Sequence, residues 1–285
     1  MGHMICYNIG QKAEDKTMLG AIIGDIVGSR FEWDNIKTKE FGFFDRRCFF
    51  TDDSVMTLAV AKAILDCCGG PGRLSDQAVR CMQEIGRPYP DCGYGGHFYG
   101  WIYSDDPKPY NSYGNGAGMR VSAVAWAARD LETCIAMSEA VTAVTHNHPE
   151  GIKGAEAIAV ATYLALHGAT KEEIRAQIRQ RYYPLDFTLD EIREDYAFNE
   201  TCQETIPQAI EAFLESTDFE DAIRNAISIG GDSDTLAACT GAIAEAYYGI
   251  PESLRTRAKR YLDRRLLSVL ESFEQAFPPK IAVGK

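Results

Sequence analysis

The chain has 285 residues, with 29 Lys and Arg against 41 Asp and Glu, for a formal net charge of −12. Its 46% hydrophobic and 25% charged residues are ordinary for a soluble globular protein, and the acidic balance argues against nucleic acid or an anionic membrane as the main partner. Nine cysteines without a Cys-x-x-Cys pair argue against a disulfide framework or a zinc site and make a reducing cytoplasm the expected compartment.

Met1-Gly2-His3-Met4 reads as an expression-vector remnant and is left out of the fold reasoning. The N-terminus lacks the basic-then-apolar order of a signal peptide. Gly20, Gly24 and Gly28 fall four apart, so one face of an early helix lacks side chains and can lie close to a neighbour. Residues Asp53 to Cys68 are apolar almost all round, which predicts a central buried helix. Phe41 to Phe50 reads as a loop packed on the core. Ser75 is a candidate cap for a helix that stops at Gly86, and Gly86 to Gly118 reads as irregular, a length that usually marks function.

Further on, Asp130 can cap a helix running to about Thr145. Pro149 suits a first helical position, with that helix ending at Gly168. Thr170 with Glu173 and Thr188 with Glu191 have capping-box spacing. Asp218 opens another helix, the helix after Asp232 ends at Gly249, and Pro251 to Phe277 is amphipathic. The apolar run Ala157 to Leu166 is too short to span a bilayer. Without strand alternation, repeats or a composition break, the expectation is one all-α domain.

Two acidic clusters carry the chemistry: Thr51-Asp52-Asp53-Ser54 and Gly230-Gly231-Asp232-Ser233-Asp234-Thr235. Each precedes an apolar helix. A helix cap needs one such side chain, and each cluster supplies several. Carboxylates this close resist desolvation together unless a cation neutralises them. Oxygen-only donors suit hard divalent ions, Mg²⁺ or Mn²⁺ ahead of Zn²⁺, and two converging clusters have charge enough for two ions.

Asp25 reads as a structural hydrogen-bonding acid, whereas Glu32 lies just beyond the small-residue stretch and can reach a site. Ser112-Tyr113-Gly114-Asn115-Gly116 leads into a helix start at Ala117-Gly118-Met119-Arg120. It reads either as a turn or as a cradle of backbone N–H groups for phosphates. His146 is a candidate substrate hydrogen bond, with His148 near a helix start, and the ring of Phe98 or Tyr99 is a candidate to stack on a base.

In this order, Gly24-Asp25-Ile26-Val27-Gly28-Ser29 with Glu32, Thr51-Asp52-Asp53-Ser54, Asn115-Gly116-Ala117-Gly118-Met119-Arg120, Thr145-His146 and Gly230-Gly231-Asp232-Ser233-Asp234-Thr235 resemble the ADP-ribosylglycohydrolase family. The resemblance covers residues 18–276, leaving 1–17 as an N-terminal extension. It implies a single-domain all-α fold around a binuclear Mg²⁺ or Mn²⁺ centre. Thr51, Asp52, Asp53, Asp232, Asp234 and Thr235 would hold the metals. Glu32, Asp53 and Asp234 would carry catalysis. Ser112, Tyr113, Gly114, Asn115, Gly116 and His146 would bind substrate.

The implied activity is hydrolysis of the glycosidic bond between ADP-ribose and an acceptor on a protein side chain or small molecule. Two alternatives share the fold: a catalytically silent ADP-ribose-binding protein, against which the complete acidic set argues, and a metal-dependent phosphohydrolase, which would release AMP.

Overall fold

A computed structural model describes residues 18–67 and 71–278, so the N-terminal extension and Cys68 lie outside the described residues. The helices are α1 (Gly20–Gly28), α2 (Asp52–Asp66), α3 (Leu74–Gly86), α4 (Gly96–Tyr103), α5 (Gly116–Met119), α6 (Ser122–Ala127), α7 (Leu131–Thr142) and α8 (Pro149–Leu166). They continue with α9 (Lys171–Arg181), α10 (Leu189–Ile192), α11 (Cys202–Leu214), α12 (Phe219–Ser228), α13 (Ser233–Tyr248), α14 (Glu252–Lys259) and α15 (Arg264–Ala276). Among the described residues, extended pairing is confined to one isolated bridge, Gly114 with Thr201. The fold is all-α.

Helix starts fall where short polar side chains meet apolar periodicity. Thr51, Asp130 and Asp218 each accept a first-turn backbone N–H at the start of α2, α7 and α12. Both capping boxes close reciprocally, at α9 and α10. Pro149 takes the first position of α8 behind His148, whose Nδ1 accepts the Glu150 N–H. Gly249 ends α13 at φ 76°, a left-handed conformation glycine adopts without strain.

Three expectations need correction. Ser75 is no cap: it lies inside α3, and its hydroxyl donates to the Ala140 carbonyl near the end of α7. The stretch from Gly86 to Gly118 is only partly irregular, because Phe98, Trp101 and Ile102 give α4 a buried face. The helix opened by Asp130 ends at Thr142, and a turn follows through Thr145. Two further helices, α6 and α11, lie outside those expectations, although Thr201 with Glu204 has capping-box spacing at the start of α11, and α11 carries Pro207 inside it.

The buried apolar side chains form one contiguous core. At its centre α13 packs against α1, α8, α11 and α12. The glycine face of α1 makes that packing close. A Cβ added at Gly24 would lie 2.0 Å from the Ala237 carbonyl oxygen, and one at Gly28 would lie 2.6 Å from the Cα of Asp234. The backbone of α1 therefore rests directly on the first turns of α13 and fixes the height at which Asp234 sits.

Candidate active site

Construction starts at Asp25, which is fully buried in α1. Its carboxylate accepts the Thr51 hydroxyl at 2.7 Å, the Thr51 N–H at 3.0 Å, the Ser54 N–H at 3.1 Å and the Ser54 hydroxyl. One acid thus clamps the first turn of α2, as its structural reading expected. Thr51 spends its hydroxyl on Asp25 and on capping the Asp53 N–H. It does not line the cleft. With Thr51 capping, Asp52 and Asp53 are free to face outward from the helix start, and both line the cleft.

The second cluster arrives from α13. The Thr235 hydroxyl donates to Asp53 Oδ2 at 3.2 Å, across 182 residues of sequence. The two clusters therefore meet. Ligand oxygens of Glu32, Asp232 and Asp234 lie within 4.8 Å of one another. Gly230 and Gly231, at φ 70° and 75°, turn the chain into this position, where the Gly231 Cα abuts the ring of Tyr196. Asn35 locks the turn by donating to the Gly231 carbonyl at 2.9 Å and accepting the Gly231 N–H at 2.7 Å.

Packing these carboxylates together without water raises their pKa values. Burial pushes Asp25 to about 6. Burial, then Asp25 and Asp232, push Asp52 to about 8. Asp53 and Asp234 rise well above the carboxylate range, again chiefly by burial and then by neighbouring acids, and Asp232 rises with them. Glu32 rises to about 7 through burial and then Asp232, Asp25 and Glu200. Asp53 Oδ1 is buried without a hydrogen-bond partner. An orphaned carboxylate oxygen inside an all-oxygen acidic set is what a hard divalent cation would complete.

The facing wall comes from loops. Its cleft has a volume of about 380 Å³ and is lined by the acids and by Ser112, Gly114, Asn115, Gly116 and His146. Five of the six expected substrate residues are thereby brought together. The sixth, Tyr113, is 46% exposed and turns its ring onto His148 outside the cleft. The expected cradle of N–H groups is only partial. Gly114 N–H is spent on the Ser112 hydroxyl and Asn115 N–H on the Glu200 carbonyl. The Asn115 side chain instead donates to Asp232 at 2.7 Å, tying wall to acids.

His146 is buried and held neutral, its pKa pushed well below the usual range by burial and by Arg120. The Arg120 guanidinium donates to the Thr145 hydroxyl, and its Nη2 sits 3.2 Å from His146 Nδ1, which also lies 2.7 Å from the Thr145 hydroxyl. Arginine can only donate, so Nδ1 is the acceptor and the proton of the neutral ring resides on Nε2. Ideal Cβ positions at Gly116 and Gly114 lie 3.4 and 3.5 Å from Nε2, so the glycines leave that N–H room beside the cleft.

The sequence profile of the ADP-ribosylglycohydrolase family matches residues 15–280. The chain belongs to that family. It is 27% identical to ADP-ribosylhydrolase ARH3 of Xenopus tropicalis over 87% of this chain and 91% of that protein. It is 30% identical to ADP-ribosylarginine hydrolase Tri1 of Pseudomonas putida over 53% of this chain and 42% of that protein. A solved structure described as an ADP-ribosylglycohydrolase-related protein complex superposes with a TM-score of 0.66 at 24% identity, covering 93% of this chain and 98% of the other. That likeness speaks for the fold.

Several cleft residues of this family member carried no assigned role in the sequence reading. Arg120 closes a motif that was noticed, and a lone arginine between Met119 and Val121 was a usable signal. Glu200 lies at the rim, and His97 and Tyr110 pack edge to face at the far end. No pattern in the sequence marks those three. Gly93 could have been found by its glycine: it has φ 117°, and a Cβ there would fall 2.7 Å from Asp52 Oδ1. Of the two candidate stacking rings, Phe98 lines the cleft, whereas Tyr99 packs outward on Tyr103.

Proposed function

We propose that this protein is a divalent-metal-dependent hydrolase that splits the glycosidic bond between ADP-ribose and an acceptor on a protein or small molecule, releasing ADP-ribose. The observation that carries the reading is the meeting of two helix-borne acid clusters, with Asp53 Oδ1 left unsatisfied, at the base of a cleft whose other wall offers neutral donors. Asp52, Asp53, Asp232 and Asp234, with Thr235, would hold one or two ions of the Mg²⁺ or Mn²⁺ kind, while Thr51, expected among the ligands, stands behind them as the cap of α2. Bound there, such ions supply Lewis acidity and lower the pKa of water.

The chain's own groups do the rest. His146 Nε2–H donates toward a phosphate or hydroxyl oxygen of the ligand, and neutrality of the ring keeps that donor in place across the physiological range. Glu32, its pKa raised to about 7 by burial and then by its acidic neighbours, accepts a proton at the bond being cut. The surrounding carboxylates offset positive charge building on the sugar ring. Asn115 keeps Asp232 oriented.

The test is a panel of ADP-ribosylated proteins and small molecules incubated with Mg²⁺, Mn²⁺ or EDTA, with products separated by chromatography. Intact ADP-ribose that appears only with metal supports the reading. AMP in its place would identify a phosphohydrolase, and binding of ADP-ribose without turnover of any substrate would identify a silent binder.

A further inference from the structure

Of the three tryptophans, Trp101 and Trp126 are buried, whereas Trp33 is 78% exposed. A large apolar ring in water calls for a reason when it sits at a cleft. Trp33 follows Glu32 directly in the sequence. Its ring stacks on Phe198, with centroids 4.9 Å apart and planes inclined by 25°. Phe198 stands two residues before Glu200, which lines the cleft. Trp33 therefore ties the residue that carries the carboxylate to a second rim loop.

The backbone around it forms a short arc, spanned by the Asn35 side chain, which donates to the Phe31 carbonyl at 2.6 Å and the Glu32 carbonyl at 2.9 Å. Phe31 is buried before it. After it, Asn35 is bonded to Gly231, and the Lys37 ammonium donates to the Tyr196 and Ile229 carbonyls, each at 2.6 Å. Residues 32–34 thus bridge two pinned points, and the pair of rings is what joins that arc to the loop at 196–200. Glu32 itself is half-buried, with its oxygen in the group formed with Asp232 and Asp234.

We propose that Trp33 is the positioning residue for Glu32: its stack on Phe198 holds the 32–34 arc closed at the rim and so keeps the neighbouring carboxylate beside Asp232 and Asp234. The inference rests on the function proposed above, since it assigns Glu32 a place in turnover. An offset aromatic pair of this geometry holds its two rings together beyond the burial of area alone, which biases the position of a three-residue arc. Misplacing a reacting group by about 1 Å costs on the order of 100-fold in rate.

Two measurements test this, one without turnover. Iodide quenching of tryptophan fluorescence reports Trp33, because the other two indoles are buried. Phe198→Ala should raise the quenching constant by uncovering the stacked face. An unchanged constant means the stack does not exist in solution and overturns the latch.

The second is kinetic, with bound metal and melting temperature followed in parallel. Trp33→Ala should lower kcat by about 30- to 100-fold while KM and ADP-ribose affinity change by less than about threefold. Trp33→Phe, which keeps an aromatic ring for the stack, should recover most of that loss. In a Glu32→Ala background, Trp33→Ala should add less than about twofold, the non-additivity expected when one residue acts through another. A loss of the same size in both backgrounds would show a merely structural role, and wild-type kcat in Trp33→Ala would end the proposal. Failure of the wild type to release ADP-ribose from any substrate would count against the proposed function, while the quenching result would still decide the latch.

Discussion

On the acid side of the cleft, Asp52, Asp53 and Asp234 ride on the first turns of α2 and α13. Those turns are fixed by backbone contact with α1 and by the four-fold clamp of Asp25. On the facing side, Ser112, Gly114 and His146 stand on loops whose shape depends on single hydrogen bonds, such as Asn115 N–H to the Glu200 carbonyl at 2.7 Å. The acid side is charged and rigidly held. The loop side presents mostly uncharged donors backed by Arg120, held by contacts that one substitution can remove. Strongly repelling groups need a stiff support to stay together, whereas ligand donors need only orientation.

The largest effects should come from the stiff side. Asp234→Asn keeps shape and removes one ligand charge, so bound metal and hydrolysis should fall together, with turnover reduced by at least about 100-fold. The metal-free melting temperature should hold or rise, because one of several repelling carboxylates is gone. Glu32→Gln should separate these readouts: metal stays and turnover falls by about 100-fold or more, since a proton acceptor is lost. Full metal and full activity in Asp234→Asn would reduce the clusters to helix caps.

The same contrast gives a pH prediction for the metal-free protein. In the folded state Asp52 holds its proton up to about pH 8 and Asp25 up to about 6, and Asp53 and Asp234 also titrate high. The unfolded chain releases the same protons near pH 4. Between those limits the folded state binds more protons, so stability falls as pH rises from about 4 to 8. Melting curves with EDTA should shift downward over that range, and Mg²⁺ or Mn²⁺ should restore most at the alkaline end. Melting temperatures indifferent to pH and to metal would mean the acids are balanced without a cation.

That contrast also explains what could be read from sequence. The acids were legible because a local surplus stands out: two carboxylates where a cap needs one. The glycine spacing at 20, 24 and 28 was legible for the same reason, since a helix face without side chains has one obvious use. The partners of His146 were not legible. Arg120 reaches it from 26 residues away, and only the fold brings them to 3.2 Å. Ser75 misled because a hydroxyl at a plausible cap position can serve a distant carbonyl instead. Trp33 and Phe198 are single aromatics in loops, 165 positions apart, and nothing local pairs them.

A medium effect is expected at Arg120. Its Nη2 serves both the Thr145 hydroxyl and His146 Nδ1, which one lysine amine on a shorter reach cannot reproduce. Arg120→Lys should free the imidazole to exchange tautomers and weaken ADP-ribose binding by about tenfold, the scale of a charged hydrogen bond. Metal affinity should stay unchanged, because the hydrogen bonds of Arg120 go to Thr145 and His146 rather than to the acids. Nitrogen NMR of the His146 ring together with calorimetric titration of ADP-ribose checks both halves. A single Nε2–H tautomer that persists in the variant would show that Arg120 does not set it.

The smallest effect is expected at Tyr113, the one anticipated substrate residue that the fold turns away. Its ring faces His148 with centroids 5.2 Å apart, and its position in the sequence between Ser112 and Gly114 contributes backbone only. The Tyr113 carbonyl accepts the Cys202 N–H at 2.9 Å, a bond any residue could make. Tyr113→Ala should therefore leave kcat/KM within about twofold, since solvent-exposed substitutions away from such contacts change little. The comparison sharpens if it does not. A loss above about tenfold in KM with kcat intact would mean that the loop swings its ring over the bound ligand, and the loop side of the cleft would then be built by the substrate as much as by the chain.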